Sequence, residues 1–179
     1  MPVKFVQNCI LPLLILLLTA CASAPEHKQR GHSMQATGLG EDYSDAPASL
    51  KVAANDVLFQ AISLVGTPYR YGGNSPAAGF DCSGLITYVF LTSAGIKLPR
   101  STAELIDIDA PKIAKDRLYP GDLVYFNTLG GRVSHIGIYV GERRFVHSPS
   151  SGGTVRMDNI DTPYWQQHYV EAKRVLARH

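Results

Sequence analysis

Cys82 lies in the run Phe80-Asp81-Cys82-Ser83-Gly84, and His135 and His147 follow it downstream. A thiolate is a strong nucleophile, and imidazole can take and return a proton near neutral pH. A cysteine, a histidine and a second polar group to orient that histidine are what nucleophilic catalysis needs. Cys82 falls at or just before the start of a predicted helix. The unpaired N–H groups and partial positive charge at such an end favour the thiolate and can donate to an oxyanion. Gly84 keeps that first turn uncrowded. A buried, inert cysteine is the ordinary alternative.

The histidines are twelve residues apart. A three-residue turn at Gly141-Glu142-Arg143 would set His147 opposite Gly137 and diagonal to His135, on one face of a hairpin. Gly137 would then leave room between the rings. A two-residue turn would send the histidines to opposite faces, so turn length decides. On a shared face, His135 is expected as the general base or thiolate partner and His147 as the group that orients it. Zinc held by Cys82, His135 and His147 is the competing arrangement. Their spacing matches no familiar zinc pattern, and a helix N-terminus disfavours a cation.

These side chains need elements to carry them. Apolar residues at helical spacing from Ala53 to Val65 predict a first helix, stopped by Gly66-Thr67-Pro68. Tyr69-Arg70-Tyr71 is short and extended. Ser83 to Ala94 predicts a second helix with Leu85, Ile86, Val89 and Phe90 inward and Gly95 as its stop. Ser101-Thr102-Ala103-Glu104 is a capping box that opens a short third helix. Strands are then expected at Asp122–Phe126, His135–Val140, Arg144–His147, Thr154–Met157 and Val170–Leu176. Helices first and an antiparallel sheet afterwards give an α+β fold with the helices on one face.

The N-terminus reads as an export signal. Lys4 precedes an apolar run from Ile10 to Leu18, too short for the roughly 17–25 residues that span a bilayer. It ends in Leu18-Thr19-Ala20-Cys21, which resembles a bacterial lipobox, so residues 1–20 are the expected signal and Cys21 the expected lipidation site. Several acyl chains anchor firmly, at about 0.8 kcal/mol per buried CH2. Ala22 after the cysteine favours the outer membrane, by resemblance to Gram-negative lipoproteins. Residues 21–49 are polar and read as a tether with a root-mean-square span of about 30 Å. Residues 50–179 form the expected domain. Cys9 leaves with the signal and Cys21 is blocked, so Cys82 is the one free thiol. The 17 Lys and Arg against 15 Asp and Glu give +2, and loss of Lys4 takes this to +1. Nothing in that balance favours nucleic acid.

The motifs also carry a resemblance. Gly66-Thr67-Pro68-Tyr69-Arg70-Tyr71-Gly72-Gly73, Phe80 to Leu85, Leu98-Pro99-Arg100-Ser101-Thr102, Pro120-Gly121-Asp122-Leu123, Ser134 to Tyr139 and Phe145-Val146-His147-Ser148 occur in order. Together they resemble the NlpC family of papain-like cell-wall cysteine peptidases. The ending from Pro163-Tyr164-Trp165 to Arg174-Val175-Leu176 is similar to the Spr (MepS) type of murein endopeptidase lipoprotein. The resemblance implies a papain-like NlpC fold and cleavage of peptidoglycan stem peptides without a metal or other cofactor. Cys82, His135 and His147 would be nucleophile, base and third residue. Tyr69 would lie beside the cysteine and help bind the oxyanion. Asp81 and Ser83 would line the subsite for the start of the stem peptide. The expected molecule is a monomer, lipid-anchored on the periplasmic face of the outer membrane. Two rivals are a peptidoglycan-docking lipoprotein with weak or silent catalysis, and an amidase or transferase of the same fold.

Overall fold

The computed structural model describes residues 47–151 and 153–178. The predicted signal, Cys21 and the tether up to residue 46 lie outside the described residues. The first helix, α1 (Ala48–Ser63), follows Pro47 directly, so helix begins inside the segment expected as tether. Its spacing predicts an inward face that includes Ile62 and Val65, yet both are exposed. Val57 and Ala61 of that face are buried, and Ala54 and Leu64 join them. The cause is close approach. Gly121 has φ +89°, and a Cβ there would stand 2.8 Å from Leu176 Cδ1 and 3.6 Å from Ala54 Cα. Only the small-residue side of α1 fits against that turn.

A two-stranded ribbon, β1 (Asn74–Ser75) with β2 (Gly79–Phe80), leads into α2 (Cys82–Ala94). The inward face of α2 is the predicted one, with Leu85, Ile86, Val89 and Phe90 fully buried. Gly95 at φ +67° ends it in the left-handed conformation, which glycine adopts without steric cost. Ser101 and Glu104 form the capping box of α3 (Thr102–Ile106).

The remaining elements are β3 (Lys112–Ile113), β4 (Leu123–Phe126), β5 (His135–Gly141), β6 (Arg144–His147), β7 (Arg156–Asn159), α4 (Pro163–His168) and β8 (Tyr169–Lys173). They form one antiparallel sheet in the order β3-β8-β4-β5-β6-β7. Strand side chains alternate between its faces. Leu123, Tyr125, Ile136, Ile138 and Val146 join the helices α1 and α2 in the larger core. Val124, Phe126, Tyr139 and Phe145 point the other way, into a second core with Ile160 and Trp165 of α4. The fold is therefore α+β as expected, with one addition: α4 covers part of the face opposite the main helices.

The β5–β6 turn resolves the question of loop length. Gly141 pairs with Arg144, so the turn itself holds two residues, Glu142 and Arg143, at φ 51° and 59°. By itself that turn would put the histidines on opposite faces. The register then shifts by one, with Val140 as the extra residue, and Tyr139 pairs with Phe145 and Ile138 with Val146. The bulge restores the alignment that a three-residue turn would have given. Left-handed backbone at two non-glycine residues is strained. Here it is held by the Arg143 N–H donating to Tyr139 Oη at 3.1 Å and by the Arg143 guanidinium on Asp161 at 2.6 and 2.7 Å.

Candidate active site

Cys82 is the first residue of α2, and Asp81 caps the helix by accepting from the Gly84 N–H at 2.7 Å. A Cβ on Gly84 would lie 2.0 Å from the Gly73 carbonyl oxygen. The glycine is what lets the loop leading into β1 close over the nucleophile's helix. Thr102, at the start of α3, meets the Cys82 thiol at 3.5 Å. Burial pushes that thiol above the usual cysteine range, and the Asp81 charge adds to the rise. The Thr102 hydroxyl and the Ser83 and Cys82 N–H groups act in the opposite direction. In the free protein the neutral thiol is thus the resting form at neutral pH. Placement at a helix N-terminus does not alone make a standing thiolate here.

His135 opens β5. Its Nε2 meets His147 Nδ1 at 2.8 Å, and His147 Nε2 meets Asp158 Oδ2 at 3.0 Å. The diagonal contact expected from the spacing is present. The room over Gly137 is not left between the rings, however. The Phe145 ring occupies it, within 2.5 Å of where a Cβ would stand, and packs against His147 with ring centroids 4.8 Å apart. His147 is fully buried and His135 nearly so. Burial, with the His147 and Arg156 charges, holds His135 down to about 3. Burial also lowers His147, opposed by Asp158. With Nε2 of His135 engaged by His147, Nδ1 is the nitrogen left for chemistry.

Cys82, His135 and Tyr69 line one cleft of about 640 Å³, with Asp81, Ser83 and Arg100. Tyr69 sits in a bridge to Phe80, two residues before Cys82. Its hydroxyl proton is held more tightly than usual by burial and by the neighbouring thiol and Asp81. Ser148, just past His147, donates to the Phe80 carbonyl at 2.7 Å from a fully buried position. That bond ties the histidine strand to the segment that delivers the nucleophile. A second hollow of about 620 Å³ shares Leu129 and Ser134 with the cleft and continues to Asp107 and Arg132. Among the described residues, no three His, Cys, Asp or Glu side chains are grouped to hold a metal.

Four contributors were not assigned from sequence. Asp158 ends the histidine chain. It pairs with Phe145 on β6, which makes it diagonal to His147, and the rule that relates the two histidines could have found it. Trp165 stacks on His135 at 5.7 Å and donates from Nε1 to Asp158 at 3.1 Å. Arg100 grips both carboxylate oxygens of Asp81 at 2.8 Å, Ser83 Oγ at 2.6 Å and the Gly73 carbonyl at 3.1 Å. Asp81 also accepts from Gly72 N–H, so its lone pairs are largely used within the fold. Thr102 completes the set.

The chain is similar to known proteins. Residues 66–174 match the NlpC/P60 family. The chain is similar to the murein DD-endopeptidase MepH of Escherichia coli (strain K12), 43% identical over 129 residues, 71% of this chain and 46% of MepH. It is also similar to the murein DD-endopeptidase MepS/murein LD-carboxypeptidase of the same strain, 32% identical over 170 residues, 91% of this chain and 88% of that protein. This chain thus spans about half of MepH but most of MepS. A crystal structure of an NlpC/P60 family protein from Bacillus cereus superposes with a TM-score of 0.62 at 31% identity, over 69% of this chain and 40% of that one.

Proposed function

The chain belongs to the NlpC/P60 family, and on that premise we propose that it is a cysteine peptidase that hydrolyses peptide bonds in peptidoglycan stem peptides or their crosslinks. The observation that carries the reading is the hydrogen-bonded histidine pair ending at a cleft that Cys82 also lines. His135 Nδ1 takes the Cys82 proton as the sulfur attacks the scissile carbonyl carbon. The carbonyl's electron pair moves to its oxygen, where the Tyr69 hydroxyl and N–H groups at the start of α2 can donate. Collapse expels the amine, which receives the proton from His135, and leaves an acyl-enzyme on Cys82. Water, deprotonated by His135, attacks that thioester. The acid is released and the thiol regains its proton. His147 orients His135 throughout.

Asp81 and Ser83 shape the acyl end of the cleft, acting together with Arg100. The adjoining hollow gives room for a second peptide arm, which suits a crosslink, and the similarity to MepH and MepS favours that bond. The lipobox-like Leu18-Thr19-Ala20-Cys21 supports a lipid anchor at Cys21 and a place in the cell envelope, on the periplasmic face of the outer membrane. The test expresses the full chain, Cys82→Ala and Cys21→Ser, then fractionates membranes and digests murein sacculi. New peptide termini that vanish with Cys82→Ala, and loss of membrane retention with Cys21→Ser alone, are expected. Sacculus binding without cleavage would favour a docking lipoprotein.

A further inference from the structure

Asp158 Oδ2 receives four donor contacts: His147 Nε2 at 3.0 Å, Trp165 Nε1 at 3.1 Å, and Arg156 Nη2 and Nε at 3.1 and 3.2 Å. We propose that Asp158 is a positioning residue that sets the direction of hydrogen bonding through both histidines and steadies the positive charge His135 acquires in turnover. The inference rests on the peptidase reading and deepens it.

The argument follows the protons. An ionised carboxylate only accepts, and the His147 bond, with Arg156 and Trp165 adding to it, holds Asp158 down to about 2. His147 must therefore carry its hydrogen on Nε2. A neutral His147 then has only a lone pair on Nδ1, so the proton in the 2.8 Å contact belongs to His135 Nε2. His135 is left with its lone pair on Nδ1, on a ring that lines the cleft. The opposite direction would set a lone pair of His147 Nε2 against the carboxylate and put a hydrogen on His135 Nδ1, where no base could act.

Charge is the second part. Burial disfavours protonation of His135, and His147 and Arg156 oppose it further, while Asp158 alone among the charged groups acting on it favours it. His135 must become cationic when it takes the Cys82 proton. The carboxylate, two rings away, offsets part of that cost. Trp165 packs on both rings and Phe145 on His147, which keeps the pair buried beneath the cleft. The groups acting on the thiol itself are Asp81, Arg100, Tyr69, the Thr102 hydroxyl and the Ser83 and Cys82 N–H groups. None of these touches Asp158, so its effect on Cys82 runs through the histidines.

Two measurements on the full chain test this, and neither needs substrate. In histidine-15N-labelled protein, His147 and His135 should both be protonated at Nε2 and not at Nδ1. In Asp158→Asn, alkylation of the Cys82 peptide that depends on His135 as proton acceptor should fall roughly tenfold at neutral pH and converge with the unsubstituted chain at alkaline pH, where the thiol ionises without it. Where murein is cut, kcat should fall about tenfold at pH 7 with KM unchanged, and recover toward alkaline pH. A merely structural defect would lower the rate equally at every pH. Protonation of His147 at Nδ1, or an alkylation profile equal to the unsubstituted chain, would overturn the proposal. Failure to cut murein with these proton positions intact would instead overturn the peptidase reading.

Discussion

At the residue scale, burial favours the neutral forms of both the Cys82 thiol and His135 in the free protein. The thiol is pushed up and His135 down, so proton transfer belongs to the encounter with the carbonyl. Stabilisation of the oxyanion then carries much of the barrier. In the proposed mechanism Tyr69 is the side-chain donor to it, and Tyr69→Phe should lower kcat by about a hundredfold with little change in KM. Kinetics on a defined muropeptide check this. An equal rise in KM with unchanged kcat would make Tyr69 a wall of the cleft and nothing more. Cys82, His135, His147 and Tyr69 were legible in the sequence because each stands in a short motif or at a hairpin diagonal. Asp158 and Trp165 were not assigned there. Asp158 answers to the same diagonal rule once β7 is paired with β6, whereas Trp165 meets His135 only where α4 folds back on the sheet, which no local pattern marks.

At the element scale, two close approaches hold the site together. Gly84 lets the Gly73 loop lie on the first turn of α2, and Gly121 lets α1 lie on the turn before β4. Gly84→Ala drives a methyl group into a backbone carbonyl. It should destabilise the fold by ~1–3 kcal/mol, read as a lowered denaturant midpoint, with greater loss of activity than of folded protein. A midpoint equal to that of the unsubstituted chain would show that the loop simply moves aside. The element types were readable from apolar spacing, caps and stops. The α2 face, the capping box and the glycine stop lie where the pattern puts them. The inward face of α1 keeps Val57 and Ala61 but takes Ala54 and Leu64 in place of Ile62 and Val65, because proximity to Gly121, not hydrophobicity alone, selects it. The β5–β6 turn differs because a two-residue turn and a bulge together mimic a three-residue one. Val140 bears no sequence mark of being the extra residue.

At the scale of the whole described domain, the two faces of the sheet divide the work. The helix-covered face holds the larger core and delivers Cys82 at the N-terminal start of α2. The opposite face holds the histidines, sealed by Trp165 and Phe145. His135 reaches the cleft because it is the first residue of its strand. The Ser148–Phe80 bond joins the two halves. On the proposed reading, a nearly neutral chain gains little from electrostatic attraction to peptidoglycan. A lipid anchor at Cys21 would supply local concentration instead, over a reach set by the polar tether.

The measurement that tests the central claim most directly is cleavage of one purified crosslinked muropeptide dimer in 18O-water, by the full chain and by Cys82→Ala. The account predicts two peptides whose masses add to the dimer plus one water. One 18O should sit in the new carboxyl group, and the Cys82→Ala reaction should leave the dimer intact. A dimer untouched by the unsubstituted chain, or cut equally by both proteins, would contradict it.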